Sequence, residues 1–219
     1  MALAEETVVG MKKAGRILVK WGRRLARILP SWGRRILDKG YDLLTKFDVA
    51  EMRLQGLNQL PAVRIPAGFV VSTLQPGREQ DYIQVMKDSL KRDADEEWFR
   101  RNFSEDREYD PRNLILFYRD KKPVAAAAAW HYKHKKRTMG HLKSVGVIRE
   151  YRGMGLGRQV SLVALQRLKE RGFDEVMLKT YASRVRALEL YLGLGFEPHY
   201  SMWAGKRKWR RLLSKIRQC

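Results

Sequence analysis

The chain has 219 residues, enough for one domain with appendages or two small domains around a real core. Its 44% hydrophobic and 10% aromatic content exclude a wholly disordered chain. Lys and Arg number 45 against 24 Asp and Glu, and the net charge of +21 points to polyanions: nucleic acid, anionic lipid or a phosphate-rich ligand. The one cysteine, Cys219, excludes an intrachain disulfide framework and a zinc-ribbon pattern. No apolar run is long enough to span a bilayer as a helix, and no secretory signal is evident at the start. The sequence therefore reads as cytoplasmic, with peripheral contact at a membrane surface as the added reading.

The charge excess sits at the two ends. Residues 12–46 carry eleven Lys and Arg against Asp38 and Asp42, and residues 205–219 carry seven and no acid. Met11–Leu29 has helical periodicity, with Ala14, Ile17, Leu18, Trp21, Leu25 and Ile28 on one face and basic residues over the other. Pro30 ends that helix, and Trp32, Ile36, Leu37, Leu43, Leu44 and Phe47 carry a second pattern. Two readings stand for residues 12–46 and 205–219. They bind an anionic membrane or nucleic acid, or the helices pack their apolar face on their own domain and leave the cations solvated.

Residues 48–66, with Pro61 and Pro66, read as a linker. Phe69–Leu74 reads as a strand, 75–78 as a turn, and Glu79–Leu90 as a helix through Tyr82, Ile83, Val85, Met86 and Leu90. Asp93–Phe103 is a further short helix. Asn113–Tyr118 and Pro123–Tyr132 are strands joined by a charged hairpin turn, and a basic loop at Lys133–Arg137 leads to a strand over Gly140–Ile148. Leu156–Arg171 is a helix stopped by Gly172, followed by a strand over Glu175–Thr180, a helix over Arg184–Leu192 and a strand over Phe196–Met202. The class is α/β or α+β with a mixed sheet. The expected organisation is a basic helical extension and linker over 1–66, a central domain over 67–204 and a basic tail over 205–219.

The stretch from Val145 to Arg158 carries the chemistry. A strand runs into Arg152-Gly153-Met154-Gly155-Leu156-Gly157-Arg158, a glycine turn that opens a helix. Glycines let backbone N–H groups approach a ligand, and the helix start favours an anion. Arg152 and Arg158 add full charges for phosphate oxygens. The spacing is neither the dinucleotide fingerprint nor a P-loop, so the residues alone give a phosphate or pyrophosphate cradle, against the plain alternative of a tight strand–helix turn.

This stretch resembles the pyrophosphate loop of the GNAT superfamily of acyl-CoA-dependent N-acetyltransferases, whose pattern is Arg/Gln-x-x-Gly-x-Gly/Ala. Downstream, Ala187-x-x-x-Tyr191-x-x-x-Gly195-Phe196 resembles the family's second signature, in the expected order. The resemblance covers about residues 68–203 and leaves the first sixty and the last fifteen outside. It implies a GNAT-like mixed, mostly antiparallel central sheet flanked by helices, here with an N-terminal basic helical extension. It implies acetyl-CoA, or another acyl-CoA, as co-substrate and an amine acceptor, either a small molecule or a peptide. Val145, Gly146 and Val147 would lie on the splayed strand that pairs with the pantetheine arm, and Arg152 to Arg158 would hold the pyrophosphate. Many members carry Asn where this chain has Arg184. A subgroup has Thr-Asp-x-x-Arg there, matched by Thr180-Tyr-Ala-Ser-Arg184 except at Tyr181. Arg184 is then a cofactor-phosphate or substrate-carboxylate ligand, or a solvated arginine at a helix start.

For catalysis the resemblance makes Tyr191 the acid that protonates the departing thiolate; its other reading is a core aromatic. The base is less determined. His141, on the strand leading to the loop, is the first candidate, against a histidine satisfied by backbone groups. Glu96, Glu97, Glu197 and His199 are further candidates. His131 and His134 lack a clustered carboxylate in sequence, and no metal is expected. Substrate choice falls to residues 91–112 and 131–140. The competing function is a polyanion-binding protein, for nucleic acid or anionic membrane, on an acyltransferase-like scaffold.

Overall fold

The computed structural model describes residues 49–90, 94–134, 137–199, 209, 210, 212–214 and 216. The two N-terminal helices expected over 11–47 lie outside the described residues. The chain divides into two compact units, Met1–Ala50 with Tyr181–Val185, and Glu51–Thr180 with Arg186–Cys219. In the first unit the Arg184 guanidinium lies over the Tyr181 ring, 5.4 Å from its centroid, and Arg184 N–H donates to the Tyr181 carbonyl at 2.9 Å.

Seven strands form one sheet: β1 (Val49–Gln55), β2 (Val70–Thr73), β3 (Leu114–Arg119), β4 (Lys122–His134), β5 (Arg137–Val147), β6 (Glu175–Tyr181) and β7 (Glu197–Pro198). Their spatial order is β2-β3-β4-β5-β6-β1-β7. The ladders β2–β3, β3–β4, β4–β5 and β1–β7 are antiparallel, and β5–β6 is parallel. The helices are α1 (Glu79–Leu90), α2 (Glu96–Phe99, continued by a π turn over Arg100–Ser104), α3 (Leu156–Glu170) and α4 (Val185–Gly193).

One sequence reading is corrected. Residues 48–66 are not merely a linker, because Val49–Gln55 forms β1 inside the sheet. The strand is amphipathic at period two: Ala50, Met52 and Leu54 are buried, while Glu51 and Arg53 face the other side. Within the described part of the basic tail, Arg210 and Ser214 are exposed and two apolar residues are buried. Trp209 is only 2% exposed, and Leu212 is buried as well.

Local chemistry explains the elements that frame the site. Helix α1 carries Glu79 and Asp81 in its first turn and Lys87 in its last, matching the helix dipole. It buries Tyr82, Ile83, Val85 and Met86. Helix α2 starts at Asp95, whose carboxylate accepts from Trp98 N–H at 2.7 Å. The run Ala125–Ala129 in β4 is fully buried. With helices packed on the strand, methyl side chains let α1 and α3 approach the sheet closely. Tyr82, Phe99, Phe103 and Trp130 meet edge-on or tilted in the core beneath α1 and α2.

Candidate active site

The parallel ladder between β5 and β6 has two pairs, Gly140↔Val176 and His141↔Met177. Both strands run on past them, to Val147 and Tyr181. They part there, leaving a wedge beside the second half of β5. A bulge shapes that half. Ala126 pairs with Gly146 and Ala128 with Lys143, so β5 holds one extra residue, and Ser144 takes a left-handed φ of 53°.

From Val147 the chain enters a short 3₁₀ turn, Arg149–Tyr151, and then the glycine turn. Gly153 and Gly155 take φ of 84° and 75°, which suits glycine, and Gly155 caps α3 with no side-chain bond. Arg158 and Gln159 N–H groups donate to the Gly155 carbonyl. The N–H groups of Leu156 and Gly157 ahead of them have no acceptor within the helix, an arrangement that can receive an anion. Residues 152–155 are exposed, and a Cβ on Gly157 would lie 3.7 Å from Val147 and 3.8 Å from Leu190, between the end of β5 and α4.

Both arginines of the turn hold the scaffold. Arg152 Nε donates to the Val147 carbonyl at 3.2 Å, and its Nη2 to the Ser89 carbonyl at 3.1 Å, at the end of α1. Arg149 N–H donates to Asp88 Oδ1 at 3.0 Å, a second tie to α1. Arg158 Nη1 donates to the Gly193 carbonyl at 2.9 Å, at the end of α4. Gly146 is buried: a Cβ there would meet Ser89 Oγ at 2.1 Å. Val145 and Val147 are half-buried and Met154 is exposed.

Tyr191 lies on α4, 8% exposed, with its ring edge-on to Phe196 at 5.9 Å. Its carbonyl accepts from Leu194 and Phe196 N–H groups, and Gly195 takes φ of 90°. The second signature is therefore a helix stop: a tyrosine on the last turn, a left-handed glycine, and a buried phenylalanine folded back beneath the ring.

His141 meets Tyr132 edge-on at 5.8 Å. Burial, then the charges of Lys143 and Lys179 and the nearby His131, push its pKa down to about 3, so the imidazole is neutral near pH 7. Lys179 Nζ lies 3.1 Å from the Tyr132 hydroxyl and 3.4 Å from Glu51 Oε1. Lys143 Nζ donates to the Asn102 carbonyl at 2.9 Å and sits 4.5 Å from the Phe103 ring centroid. Sequence reasoning missed Lys143, Lys179, Tyr132 and Glu51. Only the i, i+2 spacing of His141 and Lys143 was visible in advance.

The other base candidates lie in paired settings. Glu97 binds Arg100 and Arg101, Glu96 accepts from Gln80, Glu197 pairs with Arg53 in the β1–β7 ladder, and His199 N–H donates to the Glu51 carbonyl. His131 is corrected: the fold brings it the carboxylates absent from its sequence neighbourhood. Its Nε2 is 3.2 Å from Asp106 and its Nδ1 3.5 Å from Glu108. No cluster of three or more His, Cys, Asp or Glu suited to a metal occurs among the described residues. An open pocket lined by Gln80, Gln84, Lys87, Glu96, Glu97 and Arg100 lies between α1 and the start of α2, not at the wedge.

The model of the acetyltransferase (GNAT) family matches residues 83–196. A mycothiol acetyltransferase of Thermobispora bispora is 28% identical, over 73% of this chain and 57% of that protein. The one from Thermomonospora curvata is 32% identical, over 63% of this chain and 47% of that protein. The chain spans about half the length of the curated relatives it matches. The crystal structure of a GCN5-related N-acetyltransferase from Sphaerobacter thermophilus aligns with a TM-score of 0.59 and 25% identity, covering 69% of this chain and 48% of that one. The matched stretch takes in more than half of the chain, from the second turn of α1 to the phenylalanine beneath Tyr191, and the chain belongs to the acetyltransferase (GNAT) family.

Proposed function

We propose that the protein is an acetyl-CoA-dependent N-acetyltransferase acting on a primary amine by direct attack in a ternary complex. The observation that carries this reading is the wedge between β5 and β6 leading to the glycine turn at the start of α3. A strand edge for the pantetheine arm and a helix start for the pyrophosphate lie in continuous order along one segment. Acetyl-CoA supplies an activated thioester. The β5 backbone around Val145–Val147 orients the carbonyl, and an N–H there polarises it. Tyr191 holds the proton that the leaving sulfur takes. His141 receives the proton that the attacking amine loses, directly or through a water.

The curated relatives support acetyl transfer and leave the acceptor of this chain to be found. The charge of residues 12–46 and 205–219 supports an added role in contact with anionic membrane or nucleic acid. Among the described residues no helix is long and apolar enough to cross a membrane. Arg184 is proposed as a ligand of a cofactor phosphate.

The test is calorimetric titration with acetyl-CoA and CoA, repeated on Arg152→Glu. Micromolar binding that falls at least about tenfold in the variant supports the reading, since the change reverses a charge at the turn and removes its brace. An unchanged affinity, or no binding to the native chain, overturns it.

A further inference from the structure

We infer that the acceptor amine carries an anionic group, a carboxylate or a phosphate monoester, that seats between Lys143 and Lys179 on the open face of the wedge. The inference rests on the acetyltransferase reading above and adds the class of acceptor.

The register of the sheet places the two lysines. His141 and Met177 form the last pair of the parallel ladder. Two residues further along each strand stand Lys143 on β5 and Lys179 on β6, level with each other where the strands have parted. Side chains in a strand alternate with period two, so both lysines share a face with His141. The contacts agree. Lys143 Nζ lies 5.8 Å from the ring centroid of Trp130, the cross-strand partner of His141. Lys179 Nζ lies 4.5 Å from the ring centroid of Tyr132, which meets His141 edge-on.

An amine acceptor must therefore approach His141 past two ammonium groups. A primary amine is itself cationic in neutral water, so an acceptor without a compensating charge is repelled at the mouth of the site. Glu51 of β1 faces Lys179 at 3.4 Å and is already engaged by it, as the Asn102 carbonyl is by Lys143. An acceptor that brings its own anion reverses the balance and is oriented by it, with the amine held toward the thioester.

The same anion would change the base. The titratable groups on the same face as His141 are Lys143 on β5, Tyr132 on β4 and Lys179 on β6, with Glu51 of β1 behind Lys179; the charge of His131 acts from the opposite face of β4. In the free protein burial, and after it the lysines, keep the imidazole a poor proton acceptor. An anion between the lysines offsets their charge and leaves burial alone to oppose protonation. His141 then gains proton affinity only when the correct acceptor is seated. Without one, a water in the wedge meets a weak base, which guards the thioester against hydrolysis.

The experiment measures acetyl-CoA-dependent release of CoA with two matched pairs, β-alanine against β-alaninamide and O-phosphoethanolamine against ethanolamine. Native protein, Lys143→Met and Lys179→Met are compared, with acetyl-CoA affinity measured on each. The expected result is kcat/KM at least about tenfold higher for the anionic member of one pair, the scale of one charge-assisted hydrogen bond. Which pair responds separates carboxylate from phosphate. The preference falls toward one in the methionine variants while acetyl-CoA affinity holds. Equal or better turnover of both neutral members overturns the inference, as does a preference that survives loss of the lysines. A second readout needs no turnover: the NMR titration midpoint of His141, with and without β-alanine or O-phosphoethanolamine, on free and CoA-bound protein. A midpoint raised by either anionic probe supports the site; one unmoved by both overturns it. Loss of acetyl-CoA binding to the native chain would instead overturn the acetyltransferase reading, and the midpoint would still decide the anion site.

Discussion

Replacing Gly146 with Ala tests whether the close approach of α1 to β5 seats the cofactor turn. A methyl at that position meets Ser89 Oγ at 2.1 Å, and Met86 Cε and Ser89 Cβ at 3.0 Å. The first distance is impossible, so Ser89 must turn away or α1 must retreat. Overpacking of this kind costs about 1–3 kcal/mol, and replacing a glycine inside a strand returns roughly 0.5–1 kcal/mol. At mid-range the net loss is about 1 kcal/mol, which for a chain of this size lowers Tm by roughly 2–4 °C. Ser89→Ala is the matched rescue. Ser89 Oγ is buried with no hydrogen-bond partner among the described residues, so removing it alone leaves Tm unchanged or raises it. In the double variant the clash at 2.1 Å is gone, and the cycle shows a favourable coupling of about 1 kcal/mol. Differential scanning calorimetry reads the stabilities. The end of α1 is tied to the turn through Asp88 and the Ser89 carbonyl, so Gly146→Ala also weakens acetyl-CoA binding and the double variant regains part of it. A Gly146→Ala protein that melts with the native one, or a loss that Ser89→Ala does not return, refutes the reasoning.

Gly157→Ala takes the opposite sign. Its methyl makes only ordinary contacts at 3.7 and 3.8 Å, so stability rises by about 0.5–1 kcal/mol in thermal unfolding while acetyl-CoA affinity holds. Tyr191→Phe lowers kcat by about a hundredfold or more with acetyl-CoA affinity unchanged if the phenol is the acid, and steady-state kinetics beside calorimetry separate the two effects. His141 gives a pH dependence of stability. Its pKa is down at about 3 in the fold, so below about pH 6.5 the unfolded chain takes up a proton that the fold refuses. The contribution is intact above that pH and is lost as pH falls toward 3, at no more than about 1.4 kcal/mol per unit. His141→Gln flattens the acid side of the Tm–pH curve.

The parts legible in the sequence were those whose partners lie nearby. The helix Glu79–Leu90 follows from its apolar spacing, and the two signatures follow from glycines whose left-handed φ the backbone requires. The alternation of β1 was also present at Ala50, Met52 and Leu54. Charged neighbours and the prolines that follow hid it, and nothing local says that this strand enters the sheet between β6 and β7. The arginines show the same limit. Read alone, Arg152 and Arg158 are phosphate charges, but their acceptors are carbonyls 63 and 35 residues away in sequence. Lys143 and Lys179 become level only through the parallel register of β5 and β6, a contact between strands with α3 between them in sequence.

The bulge at Ser144 explains how one strand serves both substrates. Before it, Lys143 faces the π turn that continues α2, and His141 lies on the same side of the strand. With strict alternation Val145 and Val147 would share that face and Gly146 would point away. The extra residue shifts the alternation by one. Gly146 then turns toward Ser89 and Met86, and Val147 turns toward Gly157 at the start of α3. The acceptor face and the cofactor turn are thus joined by a single left-handed residue with φ of 53°. Ser tolerates that conformation at a cost of roughly 1–2 kcal/mol, and a β-branched side chain tolerates it less. Ser144→Val should therefore lose stability, and it should weaken acetyl-CoA binding as the second half of β5 straightens and Gly146 leaves its place under α1. Ser144→Ala, which lacks the branch, keeps more of both. Calorimetric affinities that stay equal across native, Ala and Val proteins would show that the turn holds its cofactor without the bulge, and would separate the two halves of the site.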